Sequence, residues 1–133
     1  MCTKGFRSTS PPTTKRLVRD FRRLEVWSDS IALGKEIYRT TRRFPREERY
    51  GLTSQMRSAV VSISSNIAEG AGRGSQNEFS RFLRIAIGSA CELDSQVHLA
   101  IELGMLERDT PIPSEIDRLR RRLVRLIERV EMP

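Results

Sequence analysis

The chain has 133 residues, 38% of them hydrophobic and 31% charged, which fits one helical domain with its own core and charged outer faces. It has no run of about 20 apolar residues and no apolar stretch near its start, so we expect neither a membrane span nor a secretory signal. The net charge of +7 favours polyanionic partners, and two cysteines, Cys2 and Cys91, are too few for a disulfide framework, so we expect a cytoplasmic protein.

The first part of the chain is expected to be a disordered basic tail, residues 1–19, followed by one folded domain, residues 20–133. The tail is rich in Ser, Thr and Pro and has few apolar side chains, so burial would not offset the entropy lost on ordering it. Residues 1–50 contain thirteen of the 24 Lys and Arg residues. Residues 111–133 contain six basic and four acidic residues, so we expect an anion-binding surface to draw on the first and last segments of the chain.

The first predicted helix runs from Val26 to Arg43. Side chains at spacings of three and four give it one face that points toward a core: Val26, Ser30, Leu33, Ile37 and Phe44. Pro45 is expected to end this helix, because a proline disfavours the helical conformation in the residue before it.

The second predicted helix runs from Leu52 to Glu69, and Gly70 is expected to end it in a left-handed conformation. Its hydrophobic face consists of Leu52, Met56, Ala59, Val60, Ile63 and Ile67. The segment "NIAEGAGRGSQNEF" (66–79) lacks the last glycine of a dinucleotide-binding motif and the lysine of a P-loop. It is interpreted as a corner between two helices. The alternative is a phosphate held by Arg73 and free N–H groups at a helix start.

The third predicted helix begins after Ser75, which forms a capping box with Glu78, and ends at Gly104. Its hydrophobic face consists of Phe79, Leu83, Ala86, Ala90, Leu93, Val97 and Ala100. The fourth helix is predicted from Ser114, as its N-cap, to Glu131. Its hydrophobic face follows a heptad: Ile116, Leu119, Leu123, Leu126 and Val130. Four such helices with short connections predict an all-α fold, an antiparallel up-down-up-down four-helix bundle.

Residues of catalytic or metal-binding type are few and scattered. His98 is the only histidine, and it has no partners in sequence for metal ligation or for a nucleophile–base pair. Cys91 is interpreted as a small buried or half-buried side chain of the third helix rather than a catalytic thiolate. We therefore expect no enzymatic activity, no metal, no cofactor and no small-molecule substrate.

Five polar residues flank the hydrophobic faces of the second and third helices: Asn66, Glu69, Ser89, Glu92 and Gln96. Polar groups in such positions need hydrogen-bond partners when they are covered. We interpret them as residues that pair across a contact between subunits, and binding of a ligand is the alternative.

Arginines are the strongest indication of function. They form a row along the fourth helix and a cluster at the end of the first, and the set predicted to contact phosphates is Arg39, Arg42, Arg43, Arg118, Arg122, Arg125 and Arg129. One guanidinium group can bind two oxygens of a phosphate at once, so a row of arginines fits the backbone of RNA or DNA. The alternatives are a solvated face with ion pairs along the helix, such as Asp117 with Arg121, and a structural contact between subunits.

Five segments resemble one bacterial family in the same order along the chain: "FRRLEVW" (21–27), "IYRTTRRFP" (37–45), "ERYGLTSQMR" (48–57), "NIAEGAGRGS" (66–75) and "EFSRFLRIAIGSACEL" (78–93). The family is that of the four-helix-bundle proteins encoded in intervening sequences of 23S rRNA genes. Accessory variability determinant proteins of diversity-generating retroelements are similar.

The resemblance implies a cytosolic all-α bundle that assembles with itself as a homopentameric ring and has no established catalytic activity. It implies packing or interface roles for matched positions: Trp27, Tyr38, Asn66, Glu69, Ser89 and Glu92. The similar retroelement proteins are basic rings that engage a reverse transcriptase and nucleic acid. Ser64 stands where the family usually has proline, so a kink in the second helix is not implied for this chain.

Overall fold

The computed structural model describes residues 19–132, and within them it contains helices but no strand, so the predicted all-α class is confirmed. The four long helices are α1 (Glu25–Thr41), α2 (Leu52–Ala71), α3 (Gln76–Glu102) and α4 (Ile112–Glu131). Short 3₁₀ turns precede the first two of them, at Phe21–Arg23 and Arg46–Glu48. Of the predicted tail, residues 1–18 lie outside the described residues. Arg19 donates its backbone N–H to the carbonyl of Ala71 (2.8 Å).

Each long helix contacts two others, because α1 and α3 each pack against both α2 and α4. This pattern of contacts fits a four-helix bundle with one hydrophobic core. Every residue predicted for the hydrophobic faces of the first three helices is buried, and the largest fully buried side chains include Phe79, Met56 and Leu83. α2 is continuous through Ser64.

α1 ends at Thr41, two residues before the predicted boundary. The hydroxyl of Thr41 donates to the carbonyl of Ile37 (2.7 Å), and the N–H of Phe44 donates to the carbonyl of Thr41 (3.1 Å). This tight turn brings Phe44 back to the core, where it is buried. Arg42 and Arg43 therefore belong to the turn and not to the last turn of the helix.

The sequence predicts that Gly70 ends α2 in a left-handed conformation, and this prediction is wrong. The helix continues past it, and its C-cap is Gly72 with φ −89°. Gly70 lies at a close contact between α2 and α3, where an added Cβ would be 2.7 Å from Cβ of Phe82 and 3.1 Å from Cδ1 of Phe79. Packing between helices explains the glycine here, and the positive φ in this corner belongs to Gly74 (84°).

α3 has the predicted start and end. The Ser75 hydroxyl accepts a hydrogen bond from the N–H of Glu78 (3.0 Å), and Gly104 follows the last turn with φ 80°. The carboxylate of Glu78 binds Arg81 on the next turn (3.2 Å), and this hydrogen bond lowers the pKa of Glu78 below its usual range. The serine half of the predicted capping box is therefore formed, whereas the carboxylate of Glu78 contacts Arg81 instead of the N–H of Ser75.

α4 begins at Ile112, so the prediction of Ser114 as its N-cap is wrong. Pro111 is the N-cap and Pro113 lies in the first turn, where a proline needs no partner for the N–H that it lacks. The N–H of Ile112 donates to Oγ1 of Thr110 (3.4 Å), and Ile112 itself is only 1% exposed. Burial of this side chain explains the earlier start.

The buried face of α4 also differs from the predicted heptad. Its buried residues are Ile112, Ile116, Leu119, Leu123, Ile127 and Val130. Leu126, which the heptad places in the core, is half-buried, and Ile127 takes its place. The step of four residues from Leu123 to Ile127 follows the 3.6-residue period of a straight helix, whereas a strict heptad has a period of 3.5.

Candidate nucleic-acid interface

Two neighbouring grooves lie between α1 and α4, and most of the predicted arginines line them. The first groove is lined by Lys35 and Arg39 of α1 and by Arg118 of α4. Three carboxylates line it as well: Asp29, Glu36 and Glu115. Its charges are therefore mixed, and Arg39 forms an ion pair with Glu36 on the same helix.

The second groove lies near the start of α1 and the end of α4, and it is more basic. It is lined by Arg23, from the 3₁₀ turn before α1, and by three arginines of α4: Arg122, Arg125 and Arg129. Glu25 is the carboxylate in its lining. Because the three α4 positions are separated by three and four residues, they share one side of the helix. The two grooves together are the α1/α4 face.

Arg122 is the arginine of this face that is tied to the fold. Its guanidinium lies 2.5 Å from a carboxylate oxygen of Asp29 and 3.9 Å from one of Glu25, so it links α4 to α1. Four other arginines of the face form no ion pair with any residue that the structure describes: Arg23, Arg118, Arg125 and Arg129. Together with Lys35 of the first groove, these four side chains are the cations of the face that have no ion pair among the described residues.

Arg42 and Arg43 lie away from the α1/α4 face. Arg42 lines a groove between α1 and α2, and Arg43 lies beside Glu107 in the connection after α3. They are close to Arg39 in sequence, but the chain turns after Thr41 and carries them in other directions. The predicted phosphate-contacting set therefore divides into five residues on the face and two outside it.

Arg23 lies on the face but outside the predicted set. Its 3₁₀ turn is fixed at one end by Asp20, whose carboxylate accepts a hydrogen bond from the N–H of Arg22 (3.1 Å). The ring of Phe21 packs edge-on against Trp27 with 5.0 Å between ring centres. The basic pair in "FRRLEVW" is the sequence signal for this arginine, although it precedes the helix.

The polar residues predicted on α2 and α3 have partners within the chain. Ser62 Oγ lies 2.8 Å from Ser89 Oγ across the α2–α3 contact, and Asn66 Nδ2 donates to the carbonyl of Ser62 (2.8 Å). Asn66 and Ser89 thus join two helices of one subunit. Ser62 completes this network, and a serine within a helix gives no periodic signal that would single it out.

Glu69, Glu92 and Gln96 make contacts that are local in sequence. Glu69 pairs with Arg73 (3.4 Å), and Gln96 Nε2 lies 3.5 Å from a carboxylate oxygen of Glu92. The Oε1 atom of Gln96 is buried and has no hydrogen-bond partner among the described residues. These side chains therefore make no strong contact with another helix of the same chain.

The corner between α2 and α3 surrounds Arg73 with acidic groups. Its guanidinium lies 3.4 Å from Glu69 and 4.0 Å from Glu78, and 5.0 Å from the centre of the Phe82 ring. Two carboxylates beside this arginine disfavour a bound anion. The pairing of Arg73 and the close packing of Gly70 both favour the interpretation of this segment as a corner between helices.

One sequence family matches residues 22–125 of the chain, a range that includes parts or all of each long helix: the 23S rRNA-intervening sequence proteins. The chain belongs to this family. The matched range of this intervening-sequence protein includes most of the α1/α4 face and ends before Arg129.

The same fold as in this intervening-sequence protein is found in a crystal structure from Bacteroides thetaiotaomicron VPI-5482, that of a protein with unknown function from the S23 ribosomal protein family. The two chains are 21% identical with a TM-score of 0.69, and the match covers 77% of this chain and 98% of that chain. At this identity the likeness establishes the fold alone. No protein with a curated description matches the chain.

The described residues, 19–132, contain neither a helix that could cross a membrane nor a cluster of side chains that could hold a metal ion. None of the helices in this range has the length and apolar character required to cross a membrane. The same range holds no group of three or more His, Cys, Asp or Glu side chains placed to bind a metal ion. His98 is exposed with Nε2 3.4 Å from Asp94, and Cys91 is exposed rather than buried because it lies beside, not on, the buried stripe of α3.

Proposed function

We propose that this protein is a non-enzymatic, oligomeric four-helix bundle of the cytoplasm that binds RNA or DNA through its α1/α4 face. The observation that carries the proposal is the set of arginines on that face without ion-pair partners among the described residues: Arg23, Arg118, Arg125 and Arg129. Arg39 and Arg122 border the same face with their charges partly compensated. The net charge of +7 adds a long-range attraction for polyanions.

The length of the arginine row suits a phosphate backbone. From Arg118 to Arg129 the helix rises about 17 Å at 1.5 Å per residue. Phosphates of one DNA strand advance about 3.4 Å along the duplex axis, so the row runs beside about five of them. A row of this length has room for contacts with several phosphates of one strand, and such contacts depend on salt because they release counterions.

Assembly into a homopentameric ring of up-down-up-down subunits is part of the proposal. Contacts between helix ends support the antiparallel order: Arg57, early in α2, donates to Thr41 at the end of α1 (2.9 Å), and Arg84, early in α3, pairs with Glu131 at the end of α4 (2.5 Å). The ring follows from the resemblance to the family. It would present the α1/α4 face several times to one nucleic acid, which strengthens binding through avidity.

Titration of labelled RNA and DNA at a series of salt concentrations tests the nucleic-acid proposal. We expect affinity to fall steeply with salt for the natural sequence. The double variant Arg125→Gln with Arg129→Gln should bind more weakly, and its slope of log affinity against log salt should be smaller by about 1.4 to 1.8, because two phosphate contacts are lost.

The matched control is the double variant Arg46→Gln with Arg49→Gln, which removes the same charge from the connection between α1 and α2. It should retain nearly all of the salt slope. Absence of binding, a flat salt dependence, or an equal loss in both double variants would reject the α1/α4 face as the binding surface.

A purely structural or protein–protein scaffold is the second candidate function. It is favoured by the arginines of α4 that are already paired: Arg122 with Asp29, and Arg120 and Arg121 with Asp117. Reversal of charge at Arg118, Arg125 and Arg129 separates the two functions. Loss of assembly with no change in nucleic-acid binding would favour the scaffold. The solution mass measured with and without nuclease reports subunit number and bound nucleic acid together.

A further inference from the structure

The outer surface of α1 and α2 contains an apolar groove of about 450 Å³, which shares only Lys35 and Arg39 with the α1/α4 face. Three large hydrophobic side chains stay exposed in it: Ile31 (38%), Tyr38 (39%) and Val61 (47%). The ring of Tyr38 is held in place by Arg57, whose guanidinium lies 4.5 Å from the ring centre and donates to the Tyr38 carbonyl (3.2 Å). The groove is therefore preformed, and its apolar lining is exposed to water in the single chain.

The borders of this α1/α2 groove are basic on one side and uncharged on the other. Lys35 and Arg39 of α1 line it, together with Arg42 of the turn that follows α1. On α2 the residues between Arg57 and Glu69 are all uncharged, in a chain that is 31% charged. Three of the exposed positions of α2 are serines, whose small side chains leave room for another helix: Ser54, Ser58 and Ser65.

The outer face of α3 carries a complementary row. Ile85 is 40% exposed and Leu99 is 50% exposed, and Glu92 lies midway between them. The steps are seven residues each, about 10 Å along a helix, so the three side chains share one side of α3. Ile31 and Tyr38 of the α1/α2 groove are also seven residues apart, which gives the two surfaces the same repeat.

We propose that the α1/α2 groove of one copy of this chain receives the outer face of α3 of a second copy. Ile85 and Leu99 would cover the exposed side chains of the groove, and Glu92 would face its basic border of Lys35, Arg39 and Arg42. The two surfaces differ, so the contact is head-to-tail, and a head-to-tail contact builds a ring when the rotation closes. This inference rests on the assembly part of the proposed function and names its surfaces.

Charge favours a second copy over the chain's own N-terminal segment as the occupant. Residues 1–18 contain basic residues and no acidic residue, and like charges would meet at the border of the groove. The middle of the chain, residues 51–110, contains more acidic than basic residues, and α3 lies within it. The exposed face of α3 is thus the partner of suitable charge within the same sequence.

Solution mass of two charge insertions tests the contact, one on each surface. Val61→Arg and Leu99→Arg both alter exposed positions, so each chain should fold, and helix content by circular dichroism checks this. We expect both variants to fall to the monomer mass of 15.3 kDa at concentrations where the natural sequence is assembled. Val124→Arg, at an exposed position of α4 (42%), is the matched control and should stay assembled.

Mixing the two variants distinguishes a head-to-tail contact from a symmetric one. Val61→Arg keeps an intact α3 face and Leu99→Arg keeps an intact groove, so the mixture should form a one-to-one heterodimer. A folded Val61→Arg or Leu99→Arg protein that still assembles, or a mixture that stays monomeric, would overturn this choice of surfaces. A natural sequence that is monomeric would instead reject the proposed assembly itself.

Discussion

α2 and α4 are both twenty residues long, but their outer faces have opposite character. α2 contains two charged residues, Arg57 and Glu69, and exposes small polar side chains such as Ser58 and Ser65. α4 contains ten charged residues, six of them arginine. Both helices bury a continuous stripe of hydrophobic residues along their length.

The buried stripes of the two helices stabilise the bundle in the same way, so the contrast between their outer faces concerns which partners each helix can contact. A dry contact at the α4 arginines would require the desolvation of several charges, which costs several kcal/mol per unpaired ion. The exposed side of α2 carries no such cost. These costs agree with the two proposals, in which the α1/α4 face binds anions and the surface around α2 contacts protein, and α1 borders both surfaces.

A substitution in the buried stripe of α4 should give the largest change in the free energy of unfolding. Ile127 is 5% exposed, and Ile127→Ala should lower the free energy of unfolding by about 2–5 kcal/mol, because it removes buried methyl groups and leaves a cavity. Leu126→Ala, at a half-buried position, should cost about 1 kcal/mol. Urea unfolding at one protein concentration measures both. A larger loss of unfolding free energy for Leu126→Ala than for Ile127→Ala would indicate that Leu126 lies in the core, as the heptad predicts. The arginine row would then have a different orientation relative to α1.

The close contact of α2 with α3 should give the next largest effect. Gly70→Ala places a Cβ 2.7 Å from Cβ of Phe82, so the two helices must separate, and overpacking of this kind costs about 1–3 kcal/mol. Gly88→Ala in α3 is the matched control, because an added Cβ there has no neighbour within 4 Å. That change should stabilise by about 0.5–1 kcal/mol through helix propensity. If both variants changed the melting temperature in the same direction, close packing against Phe82 would not be the reason for a glycine at position 70.

The inward stripes of α1, α2 and α3 could be predicted because apolar residues recur there at helical spacing over four or more turns. In α4 two adjacent apolar residues, Leu126 and Ile127, both fit a plausible stripe. The sequence pattern alone does not choose between a period of 3.5 and one of 3.6 over so few turns. Packing against α1 and α3 makes that choice.

Features that depend on contacts between distant segments could not be predicted. Gly70 looks like a helix terminator in sequence, and its role becomes visible when Phe79 and Phe82 lie against it. The arginine row was visible in α4, but its division into paired and unpaired members depends on Asp29 of α1. Arg23 joins the candidate site through the fold of the turn before α1, which places it in the same groove as Arg125.

The end of α4 should show the smallest effect, a dependence of stability on acid pH. Glu131 accepts a hydrogen bond from the hydroxyl of Ser80 and pairs with Arg84, and these contacts lower the pKa of Glu131 below its ordinary value of 4.5. Their contribution is complete above that value and is lost as the pH falls through the lower pKa of the folded state. The temperature at the midpoint of thermal unfolding should therefore decrease as the pH is lowered below about 4.5.

The variant Glu131→Gln should abolish that part of the acid dependence, and near neutral pH it should lower the midpoint of thermal unfolding by the same amount, which is small because the carboxylate is exposed to solvent. Glu128→Gln removes the same charge one turn earlier, from a residue without an ion pair in the described chain, and should keep the dependence. The α2–α3 contact through Ser62 and Ser89 has no titrating group, so acid should loosen the end of α4 before it affects α2. Amide exchange that rises first in α2 would contradict this order.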